Sequence, residues 1–306
     1  MIKNINPGVY PTMLTPFTAD NKIDYGAVEQ LLSFYADNGV SGIFAICQSS
    51  EIFYLSFEER LGLLRFIMEH KPEGISIVAS GHTADDIDRQ IYEANAFIDT
   101  GIDAYVFIAN RLAKEDEDDS VFLKNYEKFV SSIPEIGLGI YECPYPYKRL
   151  MHPETLAKCC EIGNLLFIKD TCSRIEMIKA KLEATEGTGL KIFNANGATL
   201  LESLKLGCAG YSGVMANFHP EIYAWLCGHF NENSEKVKLA ADFLSFASTV
   251  ESRQYPVNAK YHLSLRGVDM LTKSRVCDDS SFAQGNKMEM QAMITVENSI
   301  KTALGI

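Results

Sequence analysis

Short apolar runs rich in β-branched and aromatic residues recur along the chain, and apolar positions return at helical spacing between them. The runs cover 9–14, 40–46, 75–80, 103–109, 136–142, 165–170, 190–194 and 209–213. Their length and composition predict buried strands. Within Tyr25–Asn38, the residues Val28, Leu31, Leu32 and Tyr35 fall at i, i+3, i+4 and i+7, one face of a helix. Gly39, Gly74, Gly101 and Gly163 punctuate the returns to strand. Eight strands, each followed by a helix, predict an α/β fold of the (β/α)8 TIM-barrel type. An open doubly wound sheet shares the alternation, but no G-x-G-x-x-G opens its first helix.

After Gly213 the strand pattern stops. Helical segments follow over 220–231, 234–253, 256–266 and 281–304, with breaks at Pro256 and Gly267. The expected division is a barrel over 1–232 and a C-terminal helical extension over 233–306, packed on it. The acidic run at 115–119 reads as a solvated loop feeding a helix N-terminus, where negative charge suits the helix dipole.

Composition narrows the partners. With 28 Lys+Arg against 40 Asp+Glu, the net charge of −12 argues against nucleic acid or an anionic membrane surface. A small anionic substrate stays compatible, because a pocket can be locally positive. No apolar stretch reaches membrane-spanning length, and the N-terminus lacks the apolar core of a secretory signal, so a cytoplasmic protein is expected. None of the eight cysteines forms a C-x-x-C pair, which argues against zinc and predicts reduced, buried thiols.

Barrel chemistry collects at the C-terminal ends of the strands. Those positions are Thr15, Gln48-Ser49-Ser50-Glu51, Gly81-His82-Thr83, Asn110-Arg111, Tyr141-Glu142, Lys169-Asp170, Asn194–Gly197 and Ser212-Gly213. Lys169 ends the apolar run Leu165–Ile168. An amine in apolar surroundings loses solvation of its charged form, and the neutral amine can attack a ketone to form a Schiff base. Taken alone, a solvated lysine or a pair with Asp170 is the more ordinary reading. Tyr141 shifts the balance: it lies one βαβ unit earlier, so strands 5 and 6 should bring both side chains to one rim. A phenol there can carry protons to and from the carbinolamine. His82 could face the pocket as an acid or base, though a loop-capping role is the plainer expectation. The turns at 194–197 and 210–213 lie where many barrels bind phosphate, but Lys191 is the only basic residue near either.

Gly8–Pro11 through Thr15-Pro16-Phe17, Tyr141-Glu142-Cys143-Pro144 and Phe167–Thr171 resemble the dihydrodipicolinate synthase / N-acetylneuraminate lyase family of pyruvate-dependent class I aldolases. The resemblance extends over essentially the whole chain. It implies an imine between Lys169 and pyruvate, Tyr141 as the catalytic tyrosine, a homotetramer built as a dimer of dimers, and no metal or organic cofactor. It also implies that Ser49 and Ser50, with Thr15 and Ser212 nearby, contribute to the substrate-binding surface.

The departures bear on the substrate. The family carries G-T/S-T-G-E after strand 2, where this chain has Cys47-Gln48-Ser49-Ser50-Glu51. Gln48 replaces a hydroxyl residue and cannot pass a proton as a hydroxyl does, although its amide can bind a carboxylate or hydroxyl. The tyrosine pair after strand 4 is replaced by Asn110-Arg111. The arginine after the strand-5 tyrosine is missing, unless Lys148, Arg149 or Arg111 substitutes. Dihydrodipicolinate synthase activity itself is therefore not expected, and sialic acid lyase activity is not supported. The expected function is a lyase of a 2-oxo acid, with 3-deoxy-sugar-acid dehydration as a variant. A phosphosugar aldolase and an oxo-acid-binding or regulatory protein on a degenerate barrel are the rivals.

Overall fold

A computed structural model describes residues 2–306. Eight parallel strands, Gly8–Val9 (β1), Gly42–Ala45 (β2), Ser76–Ala79 (β3), Ala104–Ile108 (β4), Gly137–Tyr141 (β5), Leu165–Asp170 (β6), Lys191–Asn194 (β7) and Gly210–Tyr211 (β8), follow one another around a barrel. Helices Tyr25–Asp37 (α1), Phe57–His70 (α2), Ile87–Ile98 (α3), Asp119–Val130 (α4), Pro153–Ile162 (α5), Ile175–Ala184 (α6), Leu200–Leu206 (α7) and Pro220–His229 (α8) surround it. The predicted TIM barrel is the observed one. No helix among the described residues is long and apolar enough to cross a membrane.

The barrel closes differently from the expectation at its first strand. Regular pairing of β1 stops at Val9, and Thr12 adds only an isolated bridge to Phe44. Pro11 has no N–H to contribute to a ladder, although its carbonyl accepts from Phe44 N at 2.9 Å. Strand 8 likewise shrinks from 209–213 to two residues. There β1 and β8 approach so closely that a Cβ on Gly210 would stand 1.8 Å from the Gly8 carbonyl oxygen. Small residues at this seam are what closure requires.

Alternation along the strands sorts the polar residues. Lys169 points inward and Asp170 outward, so the two do not pair. Asp170 and Glu142 instead reach behind the sheet to Lys181 of α6, at 2.6 and 2.5 Å, with all three side chains fully buried. Glu142 also accepts from the backbone N–H of Met151 and of Thr171, each at 2.8 Å. Burial and the Asp170 carboxylate push the Glu142 pKa up, against the Lys181 ammonium. The acidic loop behaves as anticipated: Asp118 caps α4, accepting from Ser120 N at 2.9 Å.

The extension contains Glu235–Ala247 (α9), Val257–Leu265 (α10) and Gln284–Leu304 (α11). The helix expected over 234–253 ends early, at Ala247, followed by a single 3-10 turn. Ser248 and Thr249 hydroxyls donate back to the carbonyls of Ser245 and Phe246 at 2.7 and 2.8 Å, a local bond that competes with helix continuation. Residues 248–256 consequently leave the helix and turn over the barrel mouth.

Two buried carboxylates dock this extension. Glu297 of α11 accepts from His219 beside α8 at 3.0 Å and from His262 of α10 at 3.1 Å, all on Oε2. Arg266 and Lys301 take its other oxygen, and so supply the positive charge that a metal ion would otherwise bring to this cluster. Glu51, at the end of the strand-2 loop, receives Lys260 Nζ at 2.7 Å and the backbone N–H of Arg275 at 2.5 Å.

Removing Lys181 leaves two carboxylates buried without a counter-charge. Lys181→Met is expected to cost about 3–5 kcal/mol in urea denaturation at pH 7. Such carboxylates have folded pKa values above their unfolded ones. The deficit should therefore shrink as the pH falls toward about 4 and level off below it, where the unfolded chain also binds the protons. A pH-independent deficit would contradict the charge account.

Candidate active site

At the C-terminal mouth of the barrel lies a cavity of about 640 Å³, a size typical of small-molecule sites. Beneath it the barrel interior is aromatic. Phe44, Phe167, Phe193 and Tyr10 interlock inside the barrel, with ring centroids 4.8–5.8 Å apart. Lys169 stands two residues beyond Phe167 on β6 and therefore on the same inward face. The register pairs Tyr141 with Lys169, and the Lys169 amine lies 4.4 Å from the Tyr141 ring centroid.

Three lysines are buried, with exposures of 4 % at Lys169 and 0 % at Lys181 and Lys260. Lys181 and Lys260 are held by carboxylates at 2.5–2.7 Å. Burial pulls the Lys260 pKa down, but Glu51 opposes it and, with the Lys273 carbonyl, occupies the ammonium hydrogens. Lys169 has no such partner among the described residues. Burial lowers its pKa below the usual lysine value, with the Cys47 thiol and the Glu251 carboxylate pulling weakly the other way. Of the three, it alone lines the cavity.

Burial raises the Tyr141 pKa well above its ordinary value, so the phenol stays protonated. Its hydroxyl donates to Gln48 Oε1 at 3.1 Å, and the Cys143 thiol donates to the same oxygen at 3.4 Å. The Gln48 carbonyl is thus occupied and its amide N–H groups remain for a ligand. Ser49 also lines the cavity, its hydroxyl donating to Thr12 at 2.9 Å.

The remaining candidates stand behind the wall. The Ser50 hydroxyl donates to the Met13 carbonyl at 2.6 Å and accepts from Cys47 N at 3.1 Å. Thr15 donates to the Ser50 carbonyl at 2.7 Å. Both brace the strand-2 loop, which is bounded by two non-glycine residues with left-handed backbone, Ile46 (φ 49°) and Glu51 (φ 60°). Each such residue costs on the order of 1–3 kcal/mol unless its surroundings hold it. The Ser212 hydroxyl is buried without a partner and does not reach the cavity, whereas the adjacent Gly213 lines it.

His82 is structural. Its Nδ1 accepts from Ile108 N at 3.0 Å and its Nε2 meets Gln90 Oε1 at 2.8 Å; burial lowers its pKa to about 4. Asn110 donates to loop carbonyls of Cys143 and Tyr145 at 3.1 and 3.0 Å. Arg111 pairs with Asp85 and Arg149 with Asp119. Of the three basic residues weighed as a replacement arginine, Lys148 alone reaches the cavity, donating to the Thr171 carbonyl at 2.5 Å. Lys191 begins β7, so it lies at the opposite end of the barrel, where it bonds Asn4.

Glu251, Ser252 and Tyr255 of the extension, with Ser173 and Asn196, complete the wall. Strand-end reasoning passes over the first three because no strand precedes them, and the helical periodicity placed Glu251 inside a helix. Only the back-bonding pair Ser248-Thr249 signalled the break.

Comparisons with known proteins place the chain among lyases of the aldolase type. A model of the dihydrodipicolinate synthetase family matches residues 6–280, and the chain belongs to that family. It is 24% identical to the 4-hydroxy-tetrahydrodipicolinate synthase of Pseudomonas putida over 263 residues, 85% of this chain and 88% of that protein. Among solved structures it is similar to YagE, a prophage protein of the dihydrodipicolinic acid synthase family from E. coli K12 in complex with pyruvate. That match has a TM-score of 0.85 at 18% identity and covers 95% of this chain and 98% of the other. It is also similar to CdNal from Clostridium difficile, solved with mannosamine: TM-score 0.84, 17% identity, 94% and 97% covered.

Competitive acylation across a pH series tests the amine. Lys169 should reach half-maximal labelling below the usual lysine pKa of about 10.4, while Lys181 stays unlabelled in the folded protein. Labelling of Lys169 that rises only at or above the ordinary value would refute the desolvation argument.

Proposed function

We propose that the chain is a Schiff-base-forming lyase of a 2-oxo acid, with pyruvate as product or co-substrate. What carries this reading is the buried, unpaired amine of Lys169 beside a protonated phenol. A merely structural lysine at that depth would have a carboxylate partner, as Lys181 and Lys260 do. The pyruvate complex of the YagE neighbour supports the choice of oxo acid.

The lone pair of the amine attacks the C2 carbonyl, whose oxygen takes up a proton to give a carbinolamine. That oxygen leaves as water with a proton from Tyr141, forming the protonated imine. As the C4 hydroxyl gives its proton to the phenolate left on Tyr141, the electrons of the C3–C4 bond flow into the imine, releasing an aldehyde and leaving an enamine; condensation is the reverse. From a 3-deoxy sugar acid, loss of a C3 proton gives the same type of enamine, which can instead expel the C4 hydroxyl as water. The Gln48 amide is the donor for the substrate carboxylate, with Ser49, whose hydroxyl donates to Thr12, beside it on the cavity wall. Because the Gln48 carbonyl accepts from Tyr141 but has no proton to hand on, Tyr141 exchanges protons with substrate or solvent rather than through a hydroxyl chain.

Synthesis of 4-hydroxy-tetrahydrodipicolinate, the activity in the relatives' names, is not the reading favoured here. No arginine lines the cavity among the described residues to hold a second carboxylate. A homotetramer and a cytoplasmic setting belong to the same proposal, the latter supported by eight unpaired thiols.

Incubation with pyruvate and borohydride should add a stable adduct at Lys169, seen by intact mass and peptide mapping. Lys169→Ala should abolish it. Tyr141→Phe should retain it while lowering turnover about 10²–10⁴-fold. A folded protein whose Lys169 stays unmodified would end the imine reading.

A further inference from the structure

Gln48 presents its amide N–H groups to the cavity only if its carbonyl turns away, and the side chain by itself does not settle which way it turns. The last torsion of a glutamine is broad and nearly two-fold, so oxygen and nitrogen exchange places at little cost. With the oxygen toward the cavity, an acceptor would face the substrate carboxylate. The Tyr141 phenol alone does not decide the matter, because a phenol accepts a hydrogen bond as well as donating one. A second group meets the same atom. The Cys143 thiol, fully buried and two residues beyond Tyr141, donates to Gln48 Oε1 at 3.4 Å, beside the phenol donating there at 3.1 Å. Burial raises the Cys143 pKa, so the sulfur keeps its hydrogen at neutral pH. Sulfur is a weak acceptor. Turning the amide over would therefore exchange two donations into one oxygen for a single good bond, to the phenol.

Cys143 is itself held in place. Its N–H donates to the Tyr141 carbonyl at 2.8 Å, and its carbonyl accepts from Asn110 Nδ2 at 3.1 Å. The same Asn110 nitrogen donates to the Tyr145 carbonyl at 3.0 Å, which is also the second acceptor within reach of the thiol, at 3.5 Å. Asn110 and Gln48 are both departures from the family pattern, and Cys143 joins them. We propose that Cys143 is a positioning residue: its thiol, with the Tyr141 hydroxyl, holds the Gln48 carbonyl away from the cavity, so that the amide N–H groups meet the carboxylate of the bound acid. This rests on the imine reading for the identity of that acid. The thiol stays off the cavity wall and acts only through Gln48.

Pyruvate and hydroxyacetone are both three-carbon ketones, and only pyruvate has a carboxylate. The ratio of their half-saturating concentrations in borohydride trapping therefore reads carboxylate recognition. Cys143→Ala should shrink the preference for pyruvate about three- to tenfold, the worth of one hydrogen bond, while Cys143→Ser, which restores a donor, should keep it. Circular dichroism checks the fold of each, and Cys143→Val is the donor-free variant to use if Cys143→Ala does not fold. A merely loosened loop would weaken both ketones equally. An unchanged ratio in the donor-free variant, or an equal loss in Cys143→Ser, overturns the proposal. Lactate, which keeps the carboxylate but forms no imine, is titrated in parallel by calorimetry. If neither ketone is reduced onto Lys169 of the unsubstituted protein, the imine reading falls, and lactate still decides the role of Cys143. Weaker lactate binding in Cys143→Ala than in Cys143→Ser supports it; equal binding, or none to any form, overturns it.

Discussion

Taking an amine out of water costs several kcal/mol unless a carboxylate goes with it, and this barrel does so three times. Lys181 is buried between Glu142 and Asp170, where it ties β5 and β6 to α6. Lys260 is buried against Glu51, where it ties the extension to the strand-2 loop. Lys169 is buried with no such compensation, and its pKa falls. The first two pairs hold the elements that surround the third amine. Two docking pairs and one amine of lowered pKa thus come from one rule applied with and without a partner.

The strand period distributes these roles. Residues 141 and 142, and 169 and 170, alternate between the barrel interior and the helical layer, so a phenol and an amine face the cavity while two carboxylates face α6. Shifting either strand by one residue would exchange them, placing two carboxylates in the mouth and the amine behind the sheet. The apolar Leu165–Ile168 run and its packed aromatic neighbours specify that register.

The extension is part of the site as well as a covering for the barrel. Glu51 and Glu297 anchor it through ion pairs and hydrogen bonds to α8, α10, α11 and the segment before α11. That anchorage sets Glu251, Ser252 and Tyr255 over the mouth. In such barrels, specificity commonly resides in the strand-end loops; here a turn outside the barrel repeat also lines the cavity.

Hydrophobic periodicity alone determined the barrel and the positions of Lys169 and Tyr141, because buried strands and amphipathic helices leave a strong local signature. The resemblance to the family, not the periodicity, marked Gln48 as a departure. Local pattern does not specify which polar groups share a cavity. Thr15 and Ser50 occupy strand ends yet bond behind the wall and Ser212 stays off the cavity, whereas Glu251 and Tyr255 lie far from any strand and line it. Pro11 shortened β1, and two hydroxyls bonding back to their own carbonyls ended α9 early. The sequence by itself determined the architecture and the apolar setting of Lys169. Tertiary structure decided which lysine lacks a carboxylate and which side chains meet at the cavity, because those depend on elements brought together across the whole chain.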